Sequence, residues 1–190
     1  PVAPENRTLF FGLIIGTLPA VLIGLPLERL MGTTFRSITL VAVMLIIGSL
    51  LLLFSEFSRP RHEPLTLSRF LLMGIFQALA LVPGVSRSGA TIAGGVLSGL
   101  SRESAGRASF LLAFPLIAGS GCAMLFEMLA RDGLSALKAP LVSGFVAALI
   151  TGIFSIKILL AFLKRGTLMP FIIYRLGLAV TILTIVLKVF

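Results

Sequence analysis

Five stretches of this chain are apolar for long enough to cross a bilayer, and a water-soluble fold of 190 residues could not hide them all. A spanning helix needs about 20 predominantly apolar residues. Leu9–Leu27, Ile38–Phe54, Ala108–Leu129, Leu141–Phe162 and Phe171–Val189 meet that requirement, with Pro19 expected to kink the first. Composition agrees: 57% of the residues are hydrophobic and 12% charged, against about 25% charged in soluble domains. The sequence therefore predicts an all-α integral membrane protein, a polytopic helical bundle forming one membrane domain over residues 1–190.

The formal net charge of +9 has to be read in that setting. Its cations sit in short clusters between apolar runs, without aromatic residues alternating among them, so nucleic acid is not the expected partner. Anionic headgroups of membrane lipids are, through the excess of Lys and Arg on cytoplasmic loops. Glu28–Arg36 and Ser55–Arg69 read as surface loops. Lys157, near a span end, is expected to reach the interface, and Glu127 to pair with Arg131 at helical spacing. Cys122 lies in an apolar stretch and is expected to be a buried thiol. Pro1–Thr8 has neither a starting Met nor a signal-peptide layout, so an N-terminally truncated product is expected.

One segment breaks the pattern. Phe70–Leu81 is apolar but about half a span long; Pro83 and Gly84 interrupt it, Ser86-Arg87-Ser88 follows, and a second short apolar helix over Ala90–Leu100 returns. An extramembrane loop between two ordinary spans would need longer flanking helices. The pattern predicts a re-entrant helix-loop-helix hairpin over residues 70–100. Irregular backbone at membrane depth survives only against protein or a wet cavity, so the hairpin should be buried and functional. Placing both of its ends on one side puts nine cations on the face of Arg102 and Arg107 and five on the other, which makes the first face cytoplasmic. A full crossing would give seven and seven.

Arg87 is the residue that needs a partner. A guanidinium in the hydrocarbon region costs about 2.5 kcal/mol or more, and no acidic residue lies within twenty positions before it or fifteen after. Arg forks onto phosphate oxygens better than Lys does. Ser86 and Ser88 offer hydroxyls, Gly84 and Gly89 let backbone N–H groups come close, and a helix starting near Gly89 would aim its positive end at the turn. Thr91 can point its hydroxyl the same way. Small residues at Ala90, Gly94 and Ser98 and at Thr91, Gly95 and Gly99 permit close helix packing, a structural role. Tyr174 and Arg175 read as interface anchors.

The nine residues Pro83-Gly84-Val85-Ser86-Arg87-Ser88-Gly89-Ala90-Thr91 resemble the PGxSRSxxT signature of the undecaprenyl-diphosphate phosphatase (bacitracin-resistance) family. The likeness continues through Phe76-Gln77, through Ser109–Ala113 with Pro115, and through Pro170-Phe171 with Tyr174-Arg175. The resemblance implies an inverted-repeat architecture, a multi-pass protein of the bacterial cytoplasmic membrane, and hydrolysis of undecaprenyl diphosphate, which recycles the cell-wall lipid carrier. It implies Ser86, Arg87 and Thr91 as catalytic residues. Gln77, Gly84, Ser86, Arg87, Ser88 and Gly89 would bind substrate, and a divalent cation (Mg or Ca) would act as cofactor. It leaves a homodimer open.

The chain also departs from the family pattern. An ExxxE-type acidic motif and a PVSSTGH-like turn are absent, and none of the seven acidic residues has the required spacing. His62 does not take the family histidine's place. The metal ligands are therefore expected outside this chain, upstream of residue 1. Broken helices fit a second class as well, half of a transporter or flippase for an anionic lipid or solute; phosphate release separates the two.

Overall fold

The computed structural model describes residues 4–31, 37–58, 62–130, 134–164 and 167–189. These form α1 (Pro4–Met31), α2 (Ile38–Glu56), α3 (Leu67–Leu79), α4 (Arg87–Leu97), α5 (Arg102–Ala130), α6 (Leu134–Lys164) and α7 (Met169–Val189). Five are long and apolar enough to cross a membrane: α1, α2, α5, α6 and α7. They coincide with the five runs read from the sequence. Much of their apolar surface faces outward, Phe145 being 69% exposed, as lipid-facing side chains must be. Cys122 shares that outward position. The expectation of a protein-buried thiol is corrected: in a span, apolar surroundings are supplied by lipid as readily as by protein.

The two short helices make the predicted hairpin, with revised limits. α3 begins at Leu67, capped by Thr66 Oγ1 on the N–H of Arg69 at 3.4 Å, and α4 ends at Leu97. α4 also starts at Arg87 rather than near Gly89, because Ser86 serves as its N-cap. α1 and α3 run side by side in one direction. Gly12 lies against Phe70, Gly16 and Gly74 touch backbone to backbone, and Gly24 faces Leu81. On the other side of the hairpin, Gly94 receives the ring of Phe76 and Gly95 lies against Ala105 and Met73. The small-residue stripe thus does what it predicts: helices without side chains at the contact pack closely. The core behind them holds Phe70, Met73, Ile92, Val96, Leu112 and Leu168.

The hairpin's turn meets α2 in its middle. Gly84 packs on Val41 and Met44, Val85 on Gly48, and Gly89 on Leu52. Gly48 lies eight residues before the end of α2 at Glu56, about 12 Å at about 1.5 Å per residue. The helix is 19 residues long, so the turn stands near half its depth, and both hairpin ends lie on the side where α2 ends.

That side is closed by charges. Glu56 Oε2 accepts from Arg102 Nε and from the Leu168 N–H, each at 3.2 Å, and Arg102 Nη2 donates to the Glu56 carbonyl at 2.9 Å. Both side chains are only 13% exposed, so Glu56 staples α2 to the starts of α5 and α7. Arg69 donates to the carbonyls of Ser98 and Pro64 and to Glu63, tying the start of α3 to the end of α4. Reading 55–69 wholly as surface loop is corrected at both ends. Lys164 and Arg107 both approach Glu103, and Lys157 is exposed. Arg36, Arg59, Arg61, Arg131, Asp132 and Arg165 lie outside the described residues, as do the side chains of Glu28, Arg29 and Lys138.

Candidate anion site at the hairpin turn

The turn departs from helix at Ala80 and resumes at Arg87. Gly84 has φ +102°, and Ser86, which bears a side chain, has φ 74°. A residue other than glycine in that region costs about 1–3 kcal/mol, so the surroundings must hold it there. Ser86 Oγ accepts from the Gly89 N–H at 3.3 Å, and its carbonyl accepts from the Ala90 N–H at 2.9 Å. The N–H groups of Arg87 and Ser88 in the first turn of α4 make no hydrogen bond among the described residues.

What holds the turn is Arg175, on α7. Its Nη2 donates to the carbonyls of Gly84 and Val85, each at 2.9 Å, and to that of Leu45 at 3.3 Å. Its Nε donates to Ser49 Oγ at 3.2 Å, and Ser49 donates onward to the Leu45 carbonyl at 2.6 Å. Arg175 is 9% exposed. Its reading as an interface anchor is corrected: the guanidinium points inward, and only its neighbour Tyr174 faces out. The YR pair in the sequence marked the position, but nothing local said which of the two turned inward.

Arg87 behaves differently. Its guanidinium is half-buried and forms no hydrogen bond or ion pair with the described residues. Thr91, one turn later on the same side of α4, is fully buried, and its hydroxyl donates to the Arg87 carbonyl at 2.6 Å. Thr91 therefore stiffens the helix start beneath Arg87. Gln77, on α3, is 1% exposed, and both its amide nitrogen and its amide oxygen lack partners among the described residues. A buried unsatisfied amide costs about 1–3 kcal/mol, and a polar ligand would relieve that cost.

Ser86, Ser88 and Gly89 line a cleft of about 270 Å³ together with Arg175 and Tyr174. Its other walls are Leu52, Ile92, Leu159, Leu168 and Phe171. Arg87, Thr91 and Gln77 do not line it. Ser86, Ser88 and Gly89 therefore share this cleft, and Arg87, Thr91 and Gln77 stand outside its lining. Among the described residues, no three His, Cys, Asp or Glu side chains come together to hold a metal ion. The donor set here is hydroxyl, amide and guanidinium, which suits an anion and not a divalent cation.

The chain is 40% identical over 181 residues to an undecaprenyl-diphosphatase of Geotalea daltonii, covering 92% of this chain and 66% of the relative. It is 39% identical over 186 residues to one of Chromohalobacter salexigens, covering 96% and 69%. With one of Geobacter sulfurreducens it shares 42% over 177 residues, covering 90% and 65%. It thus spans about two thirds of the length of these curated relatives. Bacterial relatives and five spanning helices make it a multi-pass protein of the bacterial inner membrane. Residues 2–181 match the model of the bacitracin resistance protein BacA, and the chain belongs to that family.

Proposed function

We propose that this chain forms the phosphate-holding part of an enzyme that hydrolyses undecaprenyl diphosphate to undecaprenyl phosphate and phosphate. Water adds to the terminal phosphorus, the bridging oxygen leaves with the prenyl phosphate, and two protons must be managed between them. Such a reaction needs its phosphoryl charge neutralised and its groups held in place. Arg87 supplies the charge, its fork meeting the non-bridging oxygens, and the first-turn N–H groups of α4 add to it. Ser86 lies beside it as a donor or as the group that attacks phosphorus. Thr91 keeps the helix start rigid, and the Gln77 amide is available to a bound polar group. A divalent cation belongs to the proposal as an assay variable, with its ligands outside the described residues.

The observation that carries this reading is a guanidinium near half-depth of the helix bundle with no carboxylate partner among the described residues. A permanent charge there demands an anion. The test is phosphate release from undecaprenyl diphosphate by the full-length protein, with and without Mg²⁺ or Ca²⁺. Arg87→Ala should lower it at least tenfold while the protein stays folded. Near-normal release by that variant would refute the assignment, and lipid movement without hydrolysis would mean a transporter instead.

A further inference from the structure

The floor of the cleft is one helical turn thick. Along α2, Gly48 meets Val85 of the turn, Leu52 meets Gly89, and Glu56 receives Arg102 and the Leu168 N–H. Steps of four residues put these contacts on one face of α2, about 6 Å apart. Leu52 and Leu168 both line the cleft and are 3% and 2% exposed. Leu168 therefore has two tasks: its side chain closes the cleft, and its N–H hangs on Glu56. Among the described residues, that leucine pair and the ion pair beneath it separate the cleft from the water at the hairpin's ends.

The hairpin's other contacts are of a different kind. α1, α3 and α4 meet through glycines, with backbone against backbone or against a ring, and these cannot open without parting whole helices. The floor is held by one carboxylate shared between two donors. A buried ion pair stabilises a fold no better than well-packed apolar residues of the same volume often do, but its hydrogen bonds can be exchanged for water one at a time. It also sits at the ends of α2, α5 and α7, and helix ends open more easily than helix middles. We propose that Glu56, Arg102 and Leu168 form a gate at the cytoplasmic end of the cleft, closed in this structure, which admits cytoplasmic water when the contacts of Glu56 part. The gate governs access and goes beyond the phosphatase reading, which concerns the chemistry at the turn.

The test reads water access to the cleft wall. In the full-length protein, freed of other cysteines with Cys122→Ala among the changes, Ile92→Cys places a thiol inside the cleft, and Ser68→Cys places one on the exposed start of α3. Each is labelled in everted membrane vesicles with the impermeant anion sulfonatoethyl methanethiosulfonate, and the rate at residue 92 is divided by that at residue 68. Labelling of a buried thiol follows the open fraction, so the closed gate should hold this ratio below about 0.1 and Glu56→Gln should raise it about tenfold. Glu103→Gln breaks the neighbouring pairs with Arg107 and Lys164 without touching the cleft, and should leave the ratio unchanged. Arg102→Lys keeps the charge but loses the second donor, to the Glu56 carbonyl; it should raise the ratio about threefold, and it serves where Glu56→Gln does not accumulate. A parent ratio near 1 would mean that no barrier exists. An unchanged ratio in the Glu56 and Arg102 variants would mean that their pair is not the gate, and an equal rise with Glu103→Gln that the whole end of the bundle loosens. Each of these overturns the proposal. Neither substrate nor hydrolysis enters the measurement, so its failure and that of the phosphatase reading are separable.

Discussion

Arg175 Nη2 lies 2.9 Å from the carbonyl oxygens of both Gly84 and Val85, so a residue ninety positions downstream fixes the shape of the signature turn. Arg87, inside that turn, has no partner among the described residues. One arginine holds the backbone, and the other is left for something else.

That contrast predicts opposite behaviour for two conservative changes. Arg175→Lys keeps the charge but cannot reach Ser49 and three carbonyls together, leaving buried acceptors unpaired. Hydrogen bonds from a charged donor contribute about 1.5–3 kcal/mol each, so a loss of roughly 3 kcal/mol is expected, seen as a melting temperature lowered by several degrees in detergent. Arg87→Gln removes no intramolecular bond, and its melting temperature should stay within about 2 °C, on the scale of about 2–4 °C per kcal/mol.

Gln77→Met tests the orphaned amide. A polar group left unsatisfied in the interior lowers stability by about 1–3 kcal/mol, so the thioether should leave thermal stability unchanged or raised. Phosphate release by the full-length protein should fall, because the amide is the group offered to a ligand. A less stable variant would show that the amide has a structural partner.

Glu56→Ala should loosen the charged end of the bundle. It removes the acceptor shared by Arg102 and the Leu168 N–H. Truncating one partner of a buried pair costs about 3–5 kcal/mol, and this pair is 13% exposed, so about 2 kcal/mol is expected by thermal denaturation. Glu103→Ala, whose partners Arg107 and Lys164 are more than half exposed, should cost less than about 1 kcal/mol.

Gly74→Ala should separate α1 from α3, since a methyl there runs into the backbone of Gly16. Overpacking of this kind costs about 1–3 kcal/mol, and the contact is with backbone, which cannot swing aside. Gly119→Ala, with open space around it, should not destabilise. Melting temperatures of the two variants, measured side by side, check this.

Apolar run length and helix breakers determined the five spans, the hairpin and the position of its turn, because bilayer thickness turns local composition directly into architecture. The nine-residue signature likewise marked the turn that carries the candidate site. Three things were decided only by packing: which side chain of Tyr174-Arg175 faces inward, which candidate residues share the cleft, and whether the Gln77 amide finds a partner. Each depends on contacts between helices far apart in sequence, and in a chain apolar nearly all round its helices no hydrophobic periodicity tells the protein-facing side from the lipid-facing one. The same ambiguity misplaced Cys122. Local chemistry wrote the elements, and the rotation of each helix against its neighbours assigned their side chains.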